Sequence, residues 1–148
     1  MDYAEWDDRV ERFRIPAIHY RDVMLAFRAT EQAIVDQAKA FDTVELVPRM
    51  AMEPYPHQQE ALAAWRQASR LGVVVLPTAA GKTYLAQLAM QITQRSTLIM
   101  VPTLDLMHQW YAHLMAAFPD TTIGVLGGGS RDRTPLLVAT YDSAAIHA

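Results

Sequence analysis

The chain has 148 residues, of which 51% are hydrophobic and 20% charged, with a net charge of −3. This is enough for one globular domain with its own core, and it excludes a disordered chain. The absence of cysteine excludes disulfides and thiolate metal sites, and no apolar run reaches the ~18 residues of a membrane span. We therefore expect a cytoplasmic protein with no membrane partner, whose contacts with nucleic acid use amides, hydroxyls and a few arginines.

The first 53 residues differ from the rest of the chain. Residues 6–17 read as extended or irregular, and apolar residues from Tyr20 to Phe41 recur at helical spacing. We expect this short helical segment to pack on, or lead into, a domain over residues 54–148. Pro54-Tyr55-Pro56 marks the boundary, with Pro56 suited to the first turn of a helix.

Beyond that boundary, apolar runs of strand length alternate with helical patterns. This alternation predicts an α/β fold with a parallel sheet flanked by helices. The expected helices cover residues 57–70, 82–94 and 103–118, the last capped by Thr103. The expected strands cover residues 72–76, 97–101, 123–126 and 136–139, with a glycine-rich loop over residues 127–135.

The stretch from Gly72 to Thr83 contains the clearest functional motif of the chain. An apolar run ends at Pro77, and the loop Thr78-Ala79-Ala80-Gly81-Lys82-Thr83 leads into a helix. Gly81-Lys82-Thr83 is the end of a phosphate-binding loop (P-loop, Walker A). Its backbone N–H groups wrap phosphate, Lys82 meets the outer phosphates, and the Thr83 hydroxyl holds Mg²⁺. The alternative is a chance tripeptide at a helix start, which the flanking strand and helix disfavour.

Two positions depart from the usual loop pattern G-x-x-x-x-G-K-[ST]. Leu76 stands where the first glycine belongs, and Ala79 occupies a position often held by glycine. A methyl group at Ala79 costs free energy only if its φ is positive or if phosphate lies against it. We interpret Ala79 as a tolerated variant.

Five segments together resemble the first RecA-like domain of a superfamily 2 helicase, most closely the XPB-type (xeroderma pigmentosum group B) DNA helicases of prokaryotes. They are Pro56-His57-Gln58-Gln59-Glu60-Ala61-Leu62, Leu76-Pro77-Thr78-Ala79-Ala80-Gly81-Lys82-Thr83, Val101-Pro102-Thr103-Leu104-Asp105-Leu106 with Gln109-Trp110, Ile123-Gly124-Val125-Leu126-Gly127-Gly128-Gly129 and Val138-Ala139-Thr140-Tyr141-Asp142-Ser143. They are similar to a Q-like motif, Walker A, motif Ia and motifs Ib and Ic. The resemblance implies a RecA-like P-loop NTPase that binds ATP and Mg²⁺.

The resemblance also implies roles for single residues. Gln58 would read the adenine edge, while His57 stands where the family has tyrosine. Pro102, Thr103, Gly127, Gly128 and Thr140 would contact the phosphates of one DNA strand without reading its sequence. The alternatives are a solvated glutamine for Gln58, ordinary helix caps for the threonines and a flexible turn for the glycines. Trp65 and Trp110 are expected in the core.

No Asp-Glu pair occurs in the chain, although a motor of this family needs one for Mg²⁺ and for the attacking water. We therefore expect the N-terminal part of a longer ATP-dependent DNA helicase or translocase, inactive alone, with a second RecA-like domain as partner. Later strands would insert beside the P-loop strand, so the sheet is expected to be incomplete at its C-terminal end. The alternatives are a type III restriction-like motor, a truncated nucleotide-binding module without turnover and a small-molecule P-loop kinase.

Overall fold

The computed structural model describes residues 3–30, 33–39 and 43–147, and it divides into two compact units, residues 1–40 and 41–148. The division precedes the boundary expected near residue 53. The backbone of residues 43–53 is hydrogen-bonded to the rest of the second unit. The N–H of Val44 donates to the carbonyl of Gln94 at 2.9 Å, and the N–H of Arg49 donates to the carbonyl of Ala117 at 2.8 Å. No helix in the described part of the chain has the length and apolarity to cross a membrane.

The first unit begins with a hairpin in which strand β1 (Glu5–Asp7) runs antiparallel to β2 (Arg12–Arg14). Trp6 pairs with Phe13 across the hairpin, and their rings meet edge to face with centroids 5.0 Å apart. On the same hairpin Asp7 forms ion pairs with Arg9 and Arg14, each at 2.8 Å. The hydrogen bond from the Arg9 side chain lowers the pKa of the Asp7 carboxyl. The expected extended structure is thus a hairpin.

Helix α1 (Tyr20–Arg28) is shorter than the predicted helix over residues 20–41, so that prediction was wrong in its length. The helix ends at Arg28, and just beyond it the Thr30 hydroxyl donates to the carbonyl of Phe27 at 2.7 Å. Asp36 accepts a hydrogen bond from the Tyr20 hydroxyl, which raises the pKa of that tyrosine, and a short 3₁₀ turn follows at Gln37–Lys39. Phe41, the expected last residue, lies outside the described residues.

The second unit is built on a four-stranded sheet in the order β3–β6–β4–β5, parallel over its first three strands and antiparallel at β5. The order confirms the predicted α/β fold, with β5 as an addition inside the expected glycine-rich loop. Its elements in chain order are α2 (Pro56–Gln67), α3 (Lys82–Thr93), β3 (Thr97–Val101), α4 (Leu104–Ala117), β4 (Ile123–Gly127), β5 (Ser130–Arg131), β6 (Leu136–Thr140) and α5 (Tyr141–His147).

Helix α4 covers one face of this sheet and closes the core. The Thr103 hydroxyl accepts the N–H of Leu106 at 3.3 Å, which confirms the predicted N-cap, worth about 1 kcal/mol. Five core side chains from α4, its C-cap residue and the sheet have at most 1% of their surface exposed: Met107, Leu114, Phe118, Leu136 and Val138. Trp110 packs against this cluster, as the sequence predicted. The three parallel strands are therefore fixed with their carboxyl ends at one edge.

The predicted buried strand before the phosphate loop is not formed. Val73 and Val75 are 90% and 86% exposed, and no strand within residues 43–147 pairs with this segment. A strand requires a neighbour to satisfy its backbone N–H and C=O groups, and here β3 is the sheet edge. The segment instead lines an apolar groove of about 320 Å³ with Trp65 and Ala68.

Candidate nucleotide and DNA sites

The phosphate loop ends where α3 begins, as the motif requires. Gly81 precedes the helix in the left-handed conformation with φ +76°, and its carbonyl accepts the N–H of Leu85 at 2.9 Å. The N–H of Ala80 donates to the carbonyl of Pro77 at 3.3 Å, which bends the loop back on itself. The loop thus directs the first turn of a twelve-residue helix, whose free N–H groups favour an anion.

Gln58 lies against this loop and is 1% exposed, so the alternative of a solvated glutamine is wrong. Its Nε2 lies 3.3 Å from the carbonyl oxygens of both Ala80 and Gly81. Its Oε1 accepts the N–H of Tyr55 at 3.0 Å. The structure therefore brings Gln58 together with two of the predicted nucleotide-binding residues, through their backbone. The adenine-reading role of Gln58 stays a prediction.

Lys82 and Thr83 follow on the first turn of α3. The Lys82 ammonium donates to the carbonyls of Leu76 and Pro77 at 3.0 and 2.9 Å, so it closes the loop across its mouth. Lys82 is exposed, and its contact with phosphate stays a prediction. The Thr83 hydroxyl is half-buried, and within the described ranges no hydrogen bond engages it. A free hydroxyl at this position fits the predicted Mg²⁺ ligand.

Ala79 has a φ of +63°, which is the condition under which its methyl group costs free energy. Both Thr78 and Ala79 lie in an exposed turn, away from the buried contacts of Gln58. The loop thus carries a strained alanine where glycine would be relaxed, because only glycine adopts positive φ at no steric cost. Their contact with nucleotide stays a prediction.

The predicted DNA-binding residues meet at the carboxyl edge of the sheet. Thr103 follows β3, Gly127 ends β4 and Thr140 ends β6, and parallel pairing places these three ends side by side. A Cβ built on Gly127 would lie 3.3 Å from the Thr140 hydroxyl, and one on Gly128 would lie 3.3 Å from the Leu104 side chain. The sequence separated these residues by up to several dozen positions, and the fold assembles them.

The hydroxyl groups of Thr103 and Thr140 form different hydrogen bonds within the protein. Thr103 accepts from Leu106, which leaves its own O–H available as a donor. Thr140 is 7% exposed, donates to the Ser143 hydroxyl at 2.9 Å and accepts the N–H of Ser143 at 3.3 Å. The helix-cap interpretation therefore holds for both threonines. Thr103, exposed beside Pro102, keeps the greater capacity to bind a phosphate oxygen.

Sequence reasoning did not identify two features of these sites. His57 Nε2 lies 3.1 Å from the carbonyl oxygen of Ala80, a contact that only its position beside Gln58 could have suggested. Arg131 and Arg133 are exposed next to the glycine turn, and no ion pair engages them within the described ranges. The clustering of arginines in the glycine-rich loop is the signal that could have identified them.

Both parts of the chain match known families. Residues 1–38 match the xeroderma pigmentosum group B helicase damage recognition domain, and residues 51–148 match the family of the type III restriction enzyme, res subunit. The second match covers most of the chain and includes every element of the candidate sites. It carries the RecA-like fold, which agrees with the mostly parallel sheet.

Similar proteins include three with DNA helicase or translocase names. DNA 3'-5' translocase XPB2 of Sulfurisphaera tokodaii is 36% identical over 95% of this chain and 31% of its own length. DNA 3'-5' helicase XPB of Kineococcus radiotolerans is 35% identical over 71% of the chain and 18% of its length. The putative DNA 3'-5' helicase Rad25 of Halobacterium salinarum is 34% identical over 62% and 15%.

The chain thus spans about a third or less of the length of these relatives. Its order of motifs and its two family matches agree with one another. The chain therefore belongs to the family of the type III restriction enzyme res subunit, and it is similar to XPB-type helicases.

Proposed function

We propose that this chain is the ATP- and DNA-binding part of an ATP-dependent DNA helicase or translocase that works in DNA repair or processing. The full-length protein couples hydrolysis to movement on DNA, in the 3'-5' direction that its relatives' names carry. The observation that supports this best is the phosphate loop, in which Gly81 turns the chain into α3 and places Lys82 at the loop mouth. We place the protein in the cytoplasm, associated with DNA.

In this proposal, different groups of the loop bind the phosphates and Mg²⁺. Backbone N–H groups from Thr78 to Lys82 surround the phosphates, and the Lys82 ammonium exchanges the carbonyls of Leu76 and Pro77 for phosphate oxygens. The Thr83 hydroxyl holds Mg²⁺, which neutralises phosphate charge when bound. Hydrolysis needs a carboxylate base and a second RecA-like domain, which we propose the rest of the protein supplies.

DNA binds at the carboxyl edge of the sheet in this proposal. The Thr103 O–H and the backbone at Gly127 and Gly128 contact phosphates, which suits a motor that ignores sequence. Arg131 and Arg133 add the positive charge that an acidic chain otherwise lacks. Thr140 contributes mainly by fixing the start of α5 against Gly127.

The test of the proposal is Lys82→Ala. Loss of a charge-assisted hydrogen bond weakens ATP and ADP binding by at least ~1.5 kcal/mol, or more than about tenfold, in titration calorimetry. Arg66→Ala, which removes an exposed charge from α2, is the matched control and keeps the affinity. In the full-length protein Lys82→Ala also abolishes DNA-stimulated hydrolysis. Unchanged nucleotide affinity in Lys82→Ala would remove this residue from the site.

The second candidate is a nucleotide-binding module without turnover. It is favoured by one observation, the lack of any Asp-Glu pair in the 148 residues. Residues 1–148 alone give background hydrolysis under both proposals, so the full-length protein decides between them. DNA-stimulated turnover there supports the motor, and nucleotide binding without turnover supports the module. A type III restriction-like motor would instead show DNA cleavage.

A further inference from the structure

The backbone carbonyl of Ala80 has two side-chain neighbours from α2. His57 Nε2 lies 3.1 Å away and Gln58 Nε2 lies 3.3 Å away. A carbonyl oxygen only accepts hydrogen bonds, so His57 contributes the tautomer with hydrogen on Nε2. Gln58 also reaches the carbonyl of Gly81 at 3.3 Å, an oxygen that already accepts the N–H of Leu85. Two successive peptide groups of the loop are thus held from one side.

Because the peptide bond is planar, fixing the direction of these two carbonyl groups also fixes the direction of the N–H groups in the same peptides. In a trans peptide the C=O and N–H groups point in opposite directions. Holding the Ala80 carbonyl toward α2 therefore turns the N–H of Gly81 away from α2, and holding the Gly81 carbonyl does the same for Lys82. These are the N–H groups that open α3 and face the expected phosphates. The contact is tight, because a Cβ on Gly81 would lie 2.4 Å from Gln58 Nε2.

The Gln58 amide has no donor left in this arrangement. Its two N–H groups serve two carbonyls, and its oxygen accepts from Tyr55. The side chain is 1% exposed, so it does not face solvent where a base would enter. His57, by contrast, is exposed and its ring stacks on that of Tyr55 with centroids 5.8 Å apart and 11° between planes.

We propose that His57 and Gln58 form a clamp that positions the phosphate loop by holding the Ala80 and Gly81 carbonyls. The clamp rests on the proposed nucleotide binding and deepens it. His57 is a positioning residue within it, since it acts on phosphate through the loop backbone. The clamp recognises the diphosphate part of a nucleotide, whichever base that nucleotide carries.

The experiment compares His57→Phe with His57→Gln in the full-length protein. Phenylalanine keeps a ring beside Tyr55 but loses the donor, whereas glutamine keeps an N–H donor. The probes are ADP and inorganic pyrophosphate, which lacks a base. His57→Phe weakens both about 3–10-fold, as expected for one lost hydrogen bond, and His57→Gln restores both toward wild type. His108→Phe, an exposed histidine on α4, is the matched control and changes neither affinity.

Thermal unfolding of each variant separates loss of positioning from loss of fold, and His57→Ala repeats the measurement if phenylalanine disturbs the protein. Weaker binding of ADP with unchanged binding of pyrophosphate would overturn the clamp, since His57 would then act on the base. If His57→Phe bound ADP and pyrophosphate with wild-type affinity, that result would also overturn the clamp. A wild-type protein that binds neither ligand would overturn the proposed function, and the clamp with it.

Discussion

Two apolar segments of the second unit, β6 and residues 72–76, have opposite environments. In β6, Val138 is 0% exposed between two parallel neighbours, while in the segment before the phosphate loop Val73 is 90% exposed. Strand propensity reflects packing against neighbouring strands and buried faces more than an intrinsic backbone preference. In this protein, an apolar run therefore becomes a strand only where the chain supplies a neighbouring strand.

The two regions also hold their functional residues by different means. The carboxyl edge of the sheet places Thr103, Gly127 and Thr140 through strand pairing and a buried core. The phosphate loop is placed by polar side chains, namely His57 and Gln58 from α2 and Lys82 from α3. We therefore expect the sheet edge to respond to core mutations and the loop to respond to changes in single donors or in φ.

The largest expected effect comes from Val138→Ala. Removing two buried methyl groups from the central strand, with the cavity that remains, lowers the free energy of unfolding by roughly 2–3 kcal/mol. Val73→Ala removes the same atoms from the exposed segment and changes it by less than about 0.5 kcal/mol. Urea denaturation of the 148-residue chain measures both. Equal costs would show that residues 72–76 are packed in solution.

A smaller effect is expected from Gly81→Ala. The new methyl group meets Gln58 Nε2, and alanine is strained at φ +76°, so we expect unfolding to become easier by about 2 kcal/mol. Gly129→Ala is the control, because Gly129 has φ +94° but nothing within 4 Å of a built Cβ. Strain alone there costs about 1 kcal/mol. If the two variants lost equal stability, the contact between Gln58 and the loop would have no energetic role.

Sequence reasoning predicted the elements whose partners lie within the chain. Periodicity and caps gave α2, α3 and α4, and the apolar runs gave β3, β4 and β6, each within a few residues of its observed bounds. It failed for residues 20–41, where α1 ends at Arg28 and the backbone N–H of Thr30 closes a turn onto the carbonyl of Phe27 at 3.0 Å. It failed again before the phosphate loop, because a sequence pattern does not say which strand lies beside another.

The candidate sites were predictable as residue types at fixed spacing, and their internal contacts were not. The motif identified Lys82 and Thr83, but nothing in it shows that the Gln58 amide donates hydrogen bonds to the loop backbone. Likewise, Thr140 was identified by position, while its bond to Ser143 depends on where α5 begins. Hydrogen-bond partners follow from distances in the folded chain, which spacing along the sequence does not determine.

The smallest expected effect is a gain in stability from Ala79→Gly. At φ +63° an alanine is strained in the folded state by roughly 1–2 kcal/mol, and glycine avoids this strain. Glycine has more conformational entropy in the unfolded chain, which opposes folding by about 0.5–1 kcal/mol. The difference favours glycine, so we expect the free energy of unfolding to rise by about 0.5–1 kcal/mol. Denaturant titration of the 148-residue chain measures this change.

Ala80→Gly is the matched control for that gain. Ala80 neighbours Ala79 in the same loop but is not among the residues with positive φ, so glycine there relieves no strain and only adds entropy to the unfolded chain. We therefore expect Ala80→Gly to lower stability by about 0.5–1 kcal/mol, the opposite sign to its neighbour. Losses in both variants would mean that Ala79 leaves the left-handed region in solution, and the loop would then be shaped by its contacts with α2 and Lys82 alone.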